Sequence, residues 1–452
     1  MPDIDQKNGI DMANIASING QDIPASGGAF DPVAGTGTYT TTLPTSGLIQ
    51  MGGAYRQPYS ESASSGKHSG GDDVTGFTLG TDIVRNYSSD VNGIHARAAT
   101  PFTPTVSKMT AGGYAIYIID TDGKMWIMAT SSSYWGGSGS VSRRTLTQLT
   151  GVGDSDTGWT DVSACSSTAM AINSGKLYGI GNNSYGKFGN GSTSSSYGNW
   201  TQIGTDSDWV SVSVSQNHTA AIKGSSNVLY TAGRNNDGMT GQNTQSGNTT
   251  TWTAVDATNL VSATNNNFSF VDASYHHTTA IQSGRAFACG RCDSNEPLGQ
   301  NLTSDQTIMV QTGSVGGTLQ TDWTKFYANY YSSHLINSSG HFYHQGDGQY
   351  YMSGDGTQDD HKAGDAVRTS TWTDAEDIYY ARGQYIVKYL IIKRSGKLYY
   401  VGYTREGNIS PNSTSGAYIT SPTLLIDSQI NGEAAIIRPD SNSAEVLIAQ
   451  YQ

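Results

Sequence analysis

The chain has 452 residues and a formal net charge of −12, with 25 Lys and Arg against 37 Asp and Glu. Charged residues make up 14% of it and Gly fills 55 positions, where typical soluble domains carry about 25% charged residues. That balance argues against nucleic-acid binding, whose affinity comes from basic side chains displacing counterions from phosphates, and against anionic membranes. No apolar run reaches the roughly 18 residues of a membrane span, so no membrane insertion is expected. Amphipathic helical spacing is scarce beyond the first twenty residues, and the predicted fold class is all-β.

Residues 1–97 read as a module distinct from the rest. MPDIDQKNGIDMANI has neither the basic region nor the apolar stretch of a secretory signal, so general export is not expected. IDMANIASINGQDIP looks like a docking tail with little core of its own. Next come LPTSGLIQMGGAYRQPYSESAS from Leu43 and FTLGTDIVRNYSSDVNGI from Phe77. These resemble an N-terminal module of tailed-phage virion proteins, in which LPxSGxISxxxIR is followed by xSLxxYYRGGxxV. Pro44, Ser46, Gly47, Ile49, Tyr55 and Arg56 match the first part; Leu79, Arg85 and Tyr87 match the second, which lacks its RGG. The docking surface that the resemblance implies is Leu43, Pro44, Gly47, Ile49, Tyr55 and Arg56, facing other virion proteins.

Residues 98–452 carry a degenerate repeat, the strongest signal in the chain. WTDVSACSSTAMAINSGKLYGIGNNSYGKFGNG at 159–191 is followed, in the same order of parts, by WVSVSVSQNHTAAIKGSSNVLYTAGRNNDGMTG at 209–241. Further units start at Val106, Phe270, Trp323 and Ile378. With the turn residue before each KLY-like strand as a ruler, Gly123, Gly175, Asn227, Gly284, Gly340 and Gly396 are spaced by 52, 52, 57, 56 and 56 residues. Each unit offers an aromatic-led strand, a second strand of the TAAI type, a tight turn and a third strand; WTQIG at Trp200 suggests a fourth. Stacked four-stranded meanders predict a β-propeller.

The C-terminal AAIIRPDSNSAEVLIAQYQ offers second and third strands around Asn442 and then stops, while TPFTP before Val106 has the register of a fourth strand without a blade. The expectation is a seven-bladed disc in which this N-terminal strand completes the last blade and removes an exposed edge.

These units resemble the regulator of chromosome condensation repeat family, with its G-x-x-H-T-x-A-[IL]…G-x-[LV]-[YW]-x-x-G-x-N-x-x-G-x-L-G pattern, over about 350 residues. Tyr178, Gly181, Asn182, Gly186, Phe188 and Gly189 match best; His218-Thr219 and His277-Thr278 carry the H-T element, and the units around Tyr350 and Arg405 depart from it. The resemblance implies the propeller. The namesake's work as a nucleotide exchange factor on chromatin is not carried over, because this acidic chain lacks a basic nucleosome-facing tail.

His218 and His277 recur at one repeat position, which points to hydrogen bonds with a neighbouring turn rather than to catalysis. Cys289 and Cys292 form a lone CxxC without further ligands and, like Cys165, read as unpaired strand residues. His361 with Asp355, Asp359 and Asp360 does not follow calcium-loop spacing. No hydrolase, metalloprotease or phosphate-loop motif is present, so neither enzymatic activity nor a cofactor or metal is expected. Loops rich in Tyr, Asn, Ser and Gly suit adaptable surface recognition, with Tyr185, Tyr197, Trp200, Tyr350, Tyr351, Tyr403 and Tyr418 as candidate binding residues. The resulting functional expectation is a non-enzymatic phage structural protein on the virion, a tail fiber, tail or capsid appendage, displaying a propeller for attachment to a host glycan or protein. The alternatives are an intracellular propeller scaffold binding another protein, and a secreted adhesin or lectin.

Overall fold

Each repeat folds as an antiparallel meander, because alternating apolar residues bury both faces of a short sheet while Gly or Asn turns reverse the chain. A computed structural model describes residues 102–113, 115–129, 146–193, 197–260, 266–292, 298–299, 302, 304–348, 350–358, 367–368, 372–380, 389–403, 418–426, 433–437 and 446–451, with short strands before residue 101. Six four-stranded blades follow one another. Their inner strands are Val106–Ala111, Trp159–Cys165, Trp209–Val214, Phe268–Ala273, Trp323–Ala328 and Ala375–Tyr379. The second strands include Thr168–Asn173, His218–Lys223 and His277–Gln282, and the outer strands include Tyr197–Gln202 and Asn248–Ala254.

The ruler residues all occupy the turn between second and third strands with positive φ: 77° at Gly123, 78° at Gly175, 51° at Asn227, 74° at Gly284, 70° at Gly340 and 68° at Gly396. A Cβ on Gly175 would lie 2.1 Å from the Ser207 carbonyl oxygen, and one on Gly284 2.2 Å from that of Thr321. The glycine carbonyl then accepts the first N–H of the next inner strand: Trp159 from Gly123 at 3.1 Å, Trp209 from Gly175 at 2.9 Å, Trp323 from Gly284 at 2.9 Å and Ala375 from Gly340 at 3.0 Å. Asn227 serves Phe268 in the same way at 3.1 Å.

Apolar residues fill the spaces between neighbouring sheets. Trp159 is fully enclosed, its ring 5.6 Å from Tyr178 and 5.9 Å from Trp200; Trp209 sits 5.9 Å from Tyr230 and 4.9 Å from Trp252. Aromatic pairs of this geometry add about 0.5–1.5 kcal/mol beyond the area they bury. A second device stitches the inner strands around the axis. Ala164 N–H donates to Thr110 Oγ1 at 3.3 Å, Val214 to Ser163 Oγ at 2.9 Å, Ala273 to Ser213 Oγ at 3.0 Å and Ala328 to Asp272 Oδ2 at 3.0 Å.

The blade count differs from the sequence expectation: among the described residues six four-stranded blades form, not seven. The remaining place in the ring holds a six-stranded sheet in the order Ala434–Ile437, Val446–Tyr451, Gly47–Gly52, Ile94–Thr100, Asp82–Tyr87, Tyr39–Thr40. The C-terminal strands are thus its first and second, and the N-terminal end supplies four more. Of TPFTP, Thr100 ends the strand Ile94–Thr100 and residues 102–104 form no strand. Prolines 101 and 104 have no N–H to give a ladder, whereas GLIQMG can pair fully with Val446–Tyr451 while its Leu48 is buried beside Phe102, Met109 and Ile116. Closure by the N-terminal end survives through a different segment, and the expected domain boundary at 97/98 runs through Ile94–Thr100. Gln450 latches the ring, accepting Val106 N–H at 2.7 Å and donating to the Pro104 carbonyl at 2.7 Å. The earlier hairpins, Gln6–Lys7 with Ile10–Asp11 and Ser17–Ile18 with Gln21–Asp22, form two-stranded sheets of their own.

Two outcomes are expected. Gly175→Ala should lower the unfolding free energy by about 2–3 kcal/mol, since strain and a backbone clash coincide. Gly151→Ala, at φ 69° but with nothing within 4 Å, should cost about 1 kcal/mol; equal denaturant midpoints for the two would contradict the lock. Removing residues 1–38 should leave the melting temperature unchanged, while removing 1–53 should lower it by roughly 5 °C or more, because Leu48 and a strand pairing are lost.

Candidate functional site

In such a meander, the first-to-second and third-to-fourth connections emerge at one end of every blade, and the locking turns at the other. The first end therefore carries the loops that packing leaves to vary. Tyr275 and His276 fill the first connection of the fourth blade, and Tyr330 and Tyr331 the equivalent one of the fifth. Tyr275 stacks on Tyr330 at 5.1 Å, Tyr330 meets Tyr331 edge-on at 4.5 Å, and His276 lies 4.9 Å from Tyr330. Asn217 Nδ2 holds the Tyr275 carbonyl at 2.8 Å.

Polar groups tie the cluster together. His276 Nδ1 is 3.1 Å from Asp237 Oδ2, and Arg291 Nη1 is 3.4 Å from His276 Nε2. The guanidinium can only donate and the carboxylate can only accept, so the two contacts orient the ring between them. The hydrogen bond from His276 holds the Asp237 carboxyl below its usual range, with Arg234 and Arg291 adding to the effect. Burial, with Tyr331 and Tyr275 beside it, pushes the Tyr330 hydroxyl up to about 12.

The sequence-predicted residues separate into three groups. Tyr350, Tyr351, Tyr403 and Tyr418 come together between the fifth and sixth blades: Tyr350 is 6.1 Å from Tyr403, Tyr351 5.2 Å from Tyr418, and Tyr403 5.1 Å from Tyr418. Tyr185 is exposed, with the Arg234 guanidinium 5.6 Å from its ring. Tyr197 is pinned by Asn190 Nδ2 at 2.5 Å and packs on Phe188. Trp200, expected on a binding loop, is instead buried between the first two blades, 5.7 Å from Tyr117; an outer-strand tryptophan gains more from the seam than from water. Of the proposed docking residues, Gly47 and Ile49 lie in Gly47–Gly52, while Leu43, Pro44, Tyr55 and Arg56 fall outside the described residues. The Tyr275, His276, Tyr330 and Tyr331 cluster was missed. Its signal is the alignment of Tyr275-His276 and Tyr330-Tyr331 at one repeat position, just before the H-T element.

The recurring histidines are structural. His218 Nδ1 meets Ser215 Oγ at 3.1 Å in its own turn, and Nε2 meets Thr278 Oγ1 of the next blade at 2.6 Å; His277 repeats this with Ser274 at 3.0 Å and Ser333 at 3.0 Å. In the loop pattern Asn183, rather than Asn182, forms the clamp, accepting Phe188 N–H at 2.8 Å and donating to the Ser192 carbonyl at 2.9 Å. Cys289 and Cys292 are buried separately, their thiols directed at the Met239 and Leu302 carbonyls. Asp355 accepts from Ser353 and Thr357 within its own turn, and residues 359–361 lie outside the described set. Among the described residues no group of three or more His, Cys, Asp or Glu is placed to hold a metal, and no helix is long and apolar enough to cross a membrane. Along the axis runs a cavity of about 360 Å³. At its wall ion pairs join neighbouring inner strands, Lys108 with Asp161 at 2.9 Å and Lys325 with Asp377 at 2.6 Å.

A family model described as regulator of chromosome condensation (RCC1) repeat matches residues 174–222, from the locking turn of the second blade to the second strand of the third. Human WBSCR16 is similar over 90% of this chain and 100% of its own, at 13% identity and a TM-score of 0.63. Prp20p from Saccharomyces cerevisiae, reported together with its binding properties to Gsp1p and histones, is similar over 91% of this chain and 92% of its own, at 10% identity and a TM-score of 0.59. The same yeast protein bound to Kap60 gives 11% identity and a TM-score of 0.61, over 91% of each chain. The likeness is one of fold. No curated protein matches the sequence, and neither the family model nor these structures bears on the tailed-phage resemblance of the N-terminal region.

Burial lowers His218 and His277 from the ordinary 6.5 to about 3 each, and His334 well below it. The unfolded chain takes these protons below 6.5 and the native chain does not, so their stabilisation is present above 6.5 and is lost as pH falls towards 3. Glu433, pushed up to about 7 by burial, works in the opposite sense between 4.5 and 7. Three histidines against one carboxyl should leave net acid destabilisation. The melting temperature should fall between pH 7 and 4, with a shallower slope in the His218→Gln/His277→Gln variant; parallel slopes would refute the assignment.

Proposed function

We propose that this chain is a non-enzymatic structural protein of a phage virion, a tail fiber, tail or capsid appendage, whose propeller presents its loop end to the host surface. The observation that carries the reading is the asymmetry of the ring. One end is committed to locking turns, while the other gathers two tyrosine clusters, Tyr275 with Tyr330 and Tyr331, and Tyr350 with Tyr351, Tyr403 and Tyr418. Tyrosine supplies large contact area with little side-chain entropy to lose, which suits recognition by a rigid scaffold. The resemblance of LPTSGLIQMGGAYR to virion proteins supports the particle location. Because Gly47–Gly52 closes the ring, attachment to other virion proteins falls to residues 1–38, with Leu43, Pro44, Tyr55 and Arg56 flanking the closing strand. An intracellular scaffold that binds another protein is the second reading, favoured by the fold shared with Prp20p, which binds Gsp1p and histones.

Antibodies against the propeller should label purified particles, and a chain lacking residues 1–38 should be incorporated at least tenfold less while melting normally. Detection only in uninfected cells, or full incorporation of residues 39–452 alone, would overturn the reading in favour of the scaffold.

A further inference from the structure

We propose that Tyr275, His276, Tyr330 and Tyr331, with Asp237 and Arg291, form a subsite for one neutral pyranose unit of a surface carbohydrate. This rests on the reading of the loop end as host-facing and names the chemistry of its partner. A pyranose presents two kinds of surface: a patch of C–H bonds that packs on an aromatic ring, and adjacent hydroxyls that suit planar, two-pronged polar groups. Both are available here. Tyr275, Tyr330 and Tyr331 are each part-exposed and are held edge-on or stacked against one another, so they lose little freedom on binding.

The polar half is pre-arranged in the same way. His276, whose side chain is 9% exposed, fixes Asp237, which keeps 22% of its side chain in solvent. Arg291 approaches the other ring nitrogen and lies 6.0 Å from the centre of Tyr331. The Asp237 carboxylate, as acceptor, and the Arg291 guanidinium, as donor, are thereby held beside the rings, where they can hydrogen-bond sugar hydroxyls.

The Asp237 carboxylate, which feels both Arg234 and Arg291, offsets part of their charge, and the chain's net charge of −12 opposes a polyanion. Size decides against a protein partner at this spot. A specific protein interface covers about 800 Å² per partner around an apolar centre. Among the described residues, the exposed large hydrophobics Tyr185, Val210, Leu319, Tyr418 and Leu424 do not belong to the cluster.

The test is binding of the full chain to immobilised neutral oligosaccharides ending in glucose, galactose or mannose, beside sialyl- and glucuronyl-terminated controls, with adsorption to host cells measured in parallel. Binding to at least one neutral probe is expected, insensitive to salt between 50 and 300 mM (about a twofold change or less). It should weaken at least tenfold in Tyr330→Ala and in Asp237→Asn, both retaining the cooperative unfolding transition of the parent. Preference for the acidic probes, or no neutral binding while host cells still adsorb the chain, would overturn the carbohydrate subsite and leave the host-facing platform standing. Loss of both carbohydrate and cell binding would overturn the two together.

Discussion

From the locking turns at Gly123, Gly175, Asn227, Gly284 and Gly340 a glycine or asparagine carbonyl reaches the first N–H of the next inner strand, and the ring is assembled around that bond. The turn residue must adopt positive φ, and at Gly123, Gly175, Gly284 and Gly340 a Cβ would collide with the chain entering the neighbouring blade. One position thus sets the reversal inside a blade, the approach of the next blade and the register of its inner strand. A single such hydrogen bond contributes about 0.5–1.5 kcal/mol net; its weight comes from repetition and from the seam of Trp159, Trp209 and Trp323 that it places.

Two further bonds follow from this spacing. With inner strands in register, a small polar residue on one, Thr110, Ser163, Ser213 or Asp272, meets an N–H of the next. One strand outward, His218 and His277 span the seam to Thr278 and Ser333. Buried polar groups of this kind are stabilising only when fully paired. The same burial that makes the histidines effective struts keeps them neutral and makes the ring sensitive to acid.

Because stability is concentrated in the axis and the locking end, the opposite end can vary. There the first connection of a blade is only a few residues long, so its side chains are held firmly even where the sequence differs from blade to blade. The result is a rigid mount with substitutable contacts. The Tyr275 and Tyr330 cluster is fixed by ring packing and by Asn217, not by flexible loops that must be ordered on binding.

The sequence by itself determined the all-β class, the repeat, the turn positions and the structural role of the histidines, because each depends on residues close in the chain or recurring at one period. Gly175 and its counterparts are legible for that reason: positive φ and the absence of a side chain leave a mark in every repeat. The sequence also pointed to Tyr350, Tyr351, Tyr403 and Tyr418 one by one. Only the tertiary structure decided the rest. That Trp200 is buried, that Tyr275 and His276 meet Tyr330 and Tyr331 from the adjacent blade, and that six blades are closed by a six-stranded sheet of both chain ends all depend on contacts between residues far apart in the chain. Gln450 and Val106 are 344 residues apart, and no local pattern marks either one. Pairing of Gly47–Gly52 with Val446–Tyr451 is chosen by a complete hydrogen-bond ladder and the burial of Leu48, a comparison that exists only once the ring brings the two ends together.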